Sequence, residues 1–316
     1  MLNVALALDW SPNTLHCGFL LAQARGWYEQ AGIHLHLLSP EEDQYLVTPA
    51  KKVVSGQAHL AIAPSESLIS YATLRQPKDL IAVAAILQHD LSSIVTLGTS
   101  GLNRPCKLDG KIYGSYGARF EDLIVQQMIR NDGGCGLIRS ANPPKLEIWQ
   151  YFLNGKIDAT WIFEPWEGLM QCGLNADLNR FRLADYNIPY GYSPVLVCSH
   201  SFYNKNVEGF LLMMRITSEA YQFCANNPEQ AALELCNASV HTNFSNPEFV
   251  AKSLSSMSMA LLDETGKWGT MKDEVWRNFA KWLDDNHVVR DMDGQHNLKV
   301  TDIYPSLYTN ELLPRQ

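Results

Sequence analysis

Aromatic, carboxylate and amide side chains gather in a few short stretches of this 316-residue chain. The first is Asp9-Trp10-Ser11-Pro12-Asn13, with His16 three residues further on, directly after the apolar run Val4-Ala5-Leu6-Ala7-Leu8. The second is Glu164-Pro165-Trp166-Glu167, at the end of another apolar run. An indole face beside carboxylate oxygens suits a flat, amino-bearing heterocycle: the ring stacks and the oxygens accept its N–H groups. The same residues read equally well as packed rings and as acidic partners of a helix dipole. Tyr190 and Tyr192, in Tyr190-Gly191-Tyr192, can add aromatic walls or pack at a hinge. Ser65 and Glu66 open a helix after a buried strand, and Gln88 ends a long apolar run, so all three join the candidate ligand-binding set.

A candidate anion or phosphate site lies in Gly114-Ser115-Tyr116-Gly117-Ala118-Arg119-Phe120. Glycines allow a tight turn, amides at the following helix start point outward, and Arg119 adds charge, which nominates Gly117, Ala118, Arg119 and Phe120. An ordinary strand-to-helix turn accounts for the same glycines. The stretch is neither a Walker loop nor a dinucleotide fingerprint. No catalytic constellation emerges. The nine histidines show no HExxH or other metal spacing, and Ser65 and Ser67 do not sit in a GxSxG elbow. His34 and His36 alternate on a strand and read as solvated or capping, and His89-Asp90, being adjacent, point apart.

These groups need elements to carry them. Residues 4–8 read as a strand and 15–30 as an amphipathic helix closed by Gly32. A strand at 33–37, a helix at 45–55, a buried strand at 60–63, a helix opening at Pro64 and an apolar run at 80–87 follow. This alternation predicts a parallel sheet flanked by helices. Gly, Thr, Ser, Asn and Pro dominate 98–108, a candidate crossing to a second α/β unit with strands at 111–114 and 159–163 and helices at 120–130 and 145–154. The return crossing is expected at 189–197, with Val195-Leu196-Val197 rejoining the first sheet, and the remainder reads as mostly helical, including 210–225 and 273–285. The expected organisation is therefore α/β with two lobes: lobe 1 from 1–97 and 195–316, lobe 2 from 98–194, and a ligand cleft between them that closes by hinging.

Composition narrows the partners. The chain is 46% hydrophobic and 18% charged, with a net charge of -8 and no basic stripe, which argues against nucleic acid. No apolar stretch is long enough to predict a transmembrane helix. Seven cysteines without CxxC or CxC spacing read as reduced, separate thiols. Met1 runs straight into a strand without a basic segment or a long apolar core. The expected location is cytoplasmic if the sequence is complete, and periplasmic or membrane-anchored, with a permease partner, if a leader has been removed. A homodimer is compatible with either.

Leu8-Asp9-Trp10-Ser11-Pro12-Asn13, the segment 56–71 and Asn154-Gly155-Lys156-Ile157-Asp158-Ala159 together resemble the thiamine-pyrimidine synthases and their solute-binding-protein relatives. The resemblance spans about the first 200 residues. Ala84-Ala85-Ile86-Leu87-Gln88-His89, and Asp185-Tyr186 leading to Tyr192-Ser193-Pro194-Val195-Leu196, resemble the branch that binds formylated aminopyrimidine, a thiamine-salvage intermediate. The resemblance implies a two-lobe, type II periplasmic-binding-protein-like fold. In the synthase branch it also implies pyridoxal phosphate on a lysine, a histidine consumed as reactant, and iron near a cysteine cluster. Here the corresponding positions hold Ala63, Ser67 and Gly191-Tyr192-Ser193-Pro194-Val195, with Cys198 as the nearby thiol. A Schiff base needs an amine, so the expectation is a binder without cofactor or metal. It would take a thiamine-type aminopyrimidine through Asp9, Trp10, Asn13, Glu164, Trp166 and Glu167. The alternatives are a divergent hydroxymethylpyrimidine phosphate synthase, with pyridoxal phosphate and iron, and a sulfonate or small-anion receptor using the Gly117 turn.

Overall fold

The computed structural model describes residues 1–170, 177–238, 240–289 and 299–314. The chain divides into two compact units, Met1–Asp90 with Gly191–Trp276 and Asp302–Gln316, and Leu91–Tyr190 with Arg277–Thr301. The described strands are, in chain order, β1 (Leu2–Ala7), β2 (Ile33–Leu38), β3 (Leu60–Ala63), β4 (Ile81–Ala85) and β5 (Ser92–Leu97). They continue with β6 (Lys111–Gly114), β7 (Ile138–Ala141), β8 (Ala159–Phe163), β9 (Leu178–Phe181) and β10 (Val195–Cys198).

The first unit holds a sheet of order β2-β1-β3-β10-β4, and the second a sheet of order β7-β6-β8-β5-β9. In the first, β1 runs parallel to β2 and β3, while β10 lies antiparallel between β3 and β4. In the second, β6 runs parallel to β7 and β8, while β5 lies antiparallel between β8 and β9. The two sheets therefore share one plan. Parallel neighbours are joined by crossover helices, and a strand from outside that run enters antiparallel at the fourth place. β3 and β4 are continuous apolar runs buried on both faces, as helix-covered strands must be. β2 alternates instead: Ile33 and Leu35 are buried while His34 and His36 face solvent, the bland outcome for that histidine pair.

Several boundaries differ from the sequence reading. β5 already belongs to the second sheet, so the chain enters the second unit before the glycine-rich stretch at 98–108. Ser92–Leu97 is apolar enough to pass as part of either sheet, and only its pairing with β8 and β9 decides. The helix Asp273–Asp285 has the expected bounds, but its residues from Arg277 onward group with the second unit, as does Arg277–Thr301 generally. The helix expected at 15–30 is broken: a 3-10 turn, Thr14–His16, leads into Cys17–Ala24, and Gly26 at φ +69° separates Trp27–Gln30. The helix expected at 45–55 begins only at Pro49, because Gln44 and Tyr45 adopt left-handed conformations before it.

In the first unit the helix Cys17–Ala24 packs on Val207–Asn226 with Gly18 at the crossing. A Cβ at Gly18 would lie 2.1 Å from Tyr221 Cδ2. Tyr221 in turn stacks on Trp268 at 4.7 Å between centroids. The second unit's core includes Val95, Ile148, Phe152, Ile157 and Ile162. No described helix is long and apolar enough to cross a membrane. The described cysteines (Cys17, Cys106, Cys135, Cys198, Cys224 and Cys236) are free thiols, and Cys172 lies outside the described residues.

Candidate functional site

The turn after β1 is organised around one imidazole. His16 is wholly buried, and its Nδ1 accepts from the Asn13 backbone N–H at 3.2 Å. That bond leaves Nε2 as the protonated nitrogen of the neutral ring, 2.8 Å from Asp9 Oδ1. Asn13 Oδ1 accepts from the Leu15 N–H at 2.8 Å and caps the 3-10 turn, with His16 completing the box. The turn is pinned from outside as well. Thr14 Oγ1 meets Ser253 Oγ at 2.6 Å, the Tyr221 hydroxyl donates to Leu15 O at 2.8 Å, and Asn243 Nδ2 donates to Pro12 O at 2.9 Å. Its backbone is fixed at the ligand-group end too, since the Tyr45 hydroxyl donates to Asp9 O at 2.5 Å.

Two polar atoms of this frame have no partner among the described residues, one on the partly exposed Asp9 and one on Asn13, which is 2% exposed. The Asp9 side chain is 22% exposed, and its Oδ2 has no hydrogen-bond partner among the described residues. Asn13 Nδ2 likewise has none, its Oδ1 being spent on the cap. Asn13 therefore offers a donor and Asp9 an acceptor. Trp10 is partly exposed and sits 5.9 Å from the Tyr45 ring at 53°. Tyr45 escaped the sequence reading because it stands 36 residues from Asp9 in a left-handed turn, with no local signal.

The remaining first-unit candidates are Ser65, Glu66, Tyr192 and Gln88. Ser65 and Glu66 are buried at the start of the helix Ser65–Ala72, and Ser65 N–H donates to Tyr192 O at 2.8 Å. Tyr192 is 1% exposed and its hydroxyl accepts from the Lys272 N–H at 2.8 Å, so its polar end is committed to backbone. Gln88 Nε2 donates to Thr270 O at 3.1 Å. Ala63, where the resemblance puts a cofactor lysine, is 2% exposed at the end of β3, and Ser67 lies in the first turn of the next helix. Neither position offers an amine or an imidazole, so these residues do not fit a pyridoxal phosphate Schiff base.

In the second unit Glu164 follows β8. It accepts from Arg182 Nε and Nη2, each at 3.1 Å, and from Ser93 Oγ. Burial pushes the Glu164 carboxyl up, but the Arg182 and Ser93 hydrogen bonds and the charges of Arg182 and Arg180 outweigh it and hold the pKa below the usual glutamate value. Trp166 is 2% exposed, and Glu167, 8% exposed, accepts from the Phe163 N–H at 3.2 Å through Oε2. Tyr190 sits 5.2 Å from both the Trp161 and Phe279 rings. Trp161 and Phe279 thus pack against Tyr190, through contacts that sequence spacing does not reveal.

The Gly117 turn corrects the phosphate expectation. Gly117 adopts φ +73°, as a tight turn needs, but the amides are already occupied. Tyr116 N–H donates to Glu121 Oε1 at 3.0 Å, Ala118 N–H to Glu121 Oε2 at 3.2 Å, and Gly117 N–H to Ser115 Oγ at 3.1 Å. The Tyr113 hydroxyl adds a fourth bond, 2.8 Å to Glu121 Oε1. Glu121 is 3% exposed, and burial pushes its pKa up against those donors. The anion at this helix start is the protein's own carboxylate. Arg119 lies over the Phe120 ring at 5.0 Å, and Phe120 itself is buried.

Comparison with known proteins fits this frame. The formylaminopyrimidine-binding protein of Halalkalibacterium halodurans is 24% identical over 288 residues, covering 89% of this chain and 84% of its own. A putative thiamine biosynthesis protein of Haemophilus influenzae is 24% identical over 232 residues, covering 72% of each chain. Among solved structures, a Candida albicans gene product described as having the generic periplasmic-binding-protein fold aligns with a TM-score of 0.71 at 13% identity. That alignment covers 100% of this chain and 99% of the other, and it shares the fold. The family model described as NMT1/THI5 like matches residues 13–231, from the Asn13 cap through β2 to β10 and the helix Val207–Asn226. That match, over more than half of the chain, makes it a member of the NMT1/THI5-like family.

Proposed function

We propose that this protein reversibly binds a thiamine-type aminopyrimidine, with the turn after β1 as its recognition wall. One observation carries the reading: a partly exposed Asp9 carboxylate, clamped on Oδ1 by a wholly buried histidine, keeps Oδ2 without a partner among the described residues, next to the Trp10 indole. An aminopyrimidine edge places an amino donor beside a ring-nitrogen acceptor. Asp9 Oδ2 accepts from the amino group, Asn13 Nδ2 donates to the ring nitrogen, and Trp10 stacks on the ring face. The Halalkalibacterium halodurans relative, a formylaminopyrimidine-binding protein, supports this choice of ligand class. No lysine or histidine stands at the synthase positions, so the role we assign is binding rather than turnover, without pyridoxal phosphate or iron.

Calorimetry with hydroxymethyl-, aminomethyl- and formylaminomethyl-aminopyrimidines tests the reading on wild type, Asp9→Asn and Trp10→Ala. At least one ligand binds wild type, and each variant weakens it by roughly tenfold or more, the worth of one charge-assisted hydrogen bond or one stacked ring. A folded wild-type protein that binds none of them, or variants that bind as wild type does, sinks the proposal. Glu164→Gln and Tyr190→Ala, measured separately, ask whether second-unit groups contribute to the same affinity.

A further inference from the structure

We infer that the Lys52–Asp43 ion pair is the positioning device of the recognition wall, acting through Tyr45 on the Trp10 indole and the Asp9 backbone. Its consequence for affinity rests on the aminopyrimidine reading; its effect on Trp10 does not. Every residue involved belongs to the first unit.

Tyr45 is held by its surroundings rather than by local preference. Gln44 and Tyr45 are consecutive non-glycine residues in the left-handed region, at φ +52° and +60°, a backbone that persists only where neighbours hold it. They follow the 3-10 turn Pro40–Asp43, and the Pro40 carbonyl accepts the Tyr45 N–H at 2.8 Å. Asp43 Oδ1 accepts the same N–H at 3.1 Å, and Asp43 Oδ2 meets Lys52 Nζ at 2.9 Å. One carboxylate thus joins the turn to the helix Pro49–Val54, which packs on β1, the strand that leads into Asp9. Lys52 is 7% exposed, an uncommon place for an ammonium group. A buried ion pair adds little net stability, because desolvation offsets the attraction, and its best-attested role is to fix one arrangement among several. Here it fixes where the Tyr45 side chain reaches. The ring sits 5.9 Å from that of Trp10, and the hydroxyl donates to Asp9 O at 2.5 Å. Burial, with the charges of Asp9 and Asp43, pushes the Tyr45 hydroxyl pKa up, so it remains a donor at neutral pH. A second tie runs alongside: Ser11 Oγ donates to Glu41 Oε1 at 2.9 Å, and His241 Nε2 lies 3.0 Å from Glu41 Oε2. The Glu41 side chain is 42% exposed, so water competes for that tie, whereas the Lys52 side chain at 9% is shielded from it.

The test uses the full chain labelled with fluorotryptophan and followed by fluorine NMR, the Trp10 signal among the eight tryptophans being assigned by its loss in Trp10→Phe. Lys52→Met, Asp43→Asn and Tyr45→Leu each shift or broaden the Trp10 signal while most other tryptophan signals stay in place; a general loss of structure would spread the change over all of them. Because Lys52 acts through Tyr45, Lys52→Met adds no further change at Trp10 once Tyr45→Leu is present. Asp43→Asn, which keeps Oδ1 for the Tyr45 N–H and loses the charge, stands in if Lys52→Met fails to fold. A folded Lys52→Met or Asp43→Asn with a wild-type Trp10 signal overturns the inference, as does a Lys52→Met effect of undiminished size beside Tyr45→Leu. In parallel, calorimetry with hydroxymethyl-, aminomethyl- and formylaminomethyl-aminopyrimidines shows Lys52→Met weakened by about threefold or more toward whichever binds wild type tightest. Wild-type affinity in Lys52→Met also overturns the inference. If wild type binds none of the three while the Trp10 signal behaves as stated, the positioning of Trp10 stands and the aminopyrimidine reading falls.

Discussion

His16→Leu removes the imidazole while filling most of its volume, so its cost isolates the two hydrogen bonds. The Asn13 N–H loses its acceptor at 3.2 Å inside a fully buried setting, which costs about 1–3 kcal/mol as an unsatisfied donor. Asp9 loses a charge-assisted bond at 2.8 Å, but a carboxylate 22% exposed recovers part of it from water, leaving about 0.5–1.5 kcal/mol. Together these give a destabilisation of about 1.5–4.5 kcal/mol, a large share of the ~5–15 kcal/mol that holds a typical domain. Urea unfolding followed by tryptophan fluorescence, with far-UV circular dichroism as a second probe, measures it; two units call for both probes, because one transition need not describe them. Aminopyrimidine affinity falls as well, because an unclamped Asp9 samples other rotamers. A double-mutant cycle with Asp9→Asn yields a coupling of about 0.5–3 kcal/mol if the residues act as one unit. The reasoning is refuted if His16→Leu lies within about 0.5 kcal/mol of wild type, or if the effects of His16→Leu and Asp9→Asn on ligand affinity simply add.

Gly18→Ala forces a methyl to within 2.1 Å of a Tyr221 ring that is stacked on Trp268 at 4.7 Å and hydrogen-bonded to Leu15 O, so the ring has little room to retreat. The expected loss is about 1–3 kcal/mol by chemical denaturation, partly recovered in Gly18→Ala with Tyr221→Leu; no loss would mean the helices separate freely. Arg182→Ala strips a bidentate partner from Glu164, whose pKa is held below its usual value in the fold. A depressed carboxylate stabilises the fold above its unfolded pKa, near 4.3, and that contribution fades as pH falls through the folded value, so the variant loses stability at pH 7 and converges on wild type in acid. Thermal scans between pH 7 and pH 3 that run parallel for the two proteins would contradict this. Asp263, whose pKa is lowered to about 2, accepts from Thr265 N–H, Thr265 Oγ1 and Lys267 N–H. By the same sign, Asp263→Asn is less stable than wild type above about pH 4 and loses that difference toward pH 2, as acid titration by circular dichroism reads out.

Period and punctuation determined the local frame by themselves. Buried apolar runs gave β3 and β8, and the alternation of strands with helices implied two α/β units, because strand and helix periodicities are local properties of the chain. The antiparallel entry of β10 and β5, which makes both sheets mixed where a parallel sheet was expected, is not local and was not legible. Asp9, Trp10 and Asn13 were legible as candidate ligand groups because their side-chain chemistry stands at the end of a strand. Tertiary structure alone decided which atoms of those side chains are spent. Asn13 Oδ1 caps a turn while its Nδ2 does not, and His16 orients Asp9 from within. It also decided that β5 joins the second sheet and that Glu121 fills the anion cradle. Glu121 drew no notice in sequence, because the choice between an empty cradle and a filled one depends on where a buried carboxylate points. Tyr45 and Arg182, which fix Asp9 and Glu164 from 36 and 18 residues away, left no trace in spacing. Hydrogen-bond satisfaction is a property of the folded neighbourhood, and a one-dimensional pattern lists donors and acceptors without pairing them.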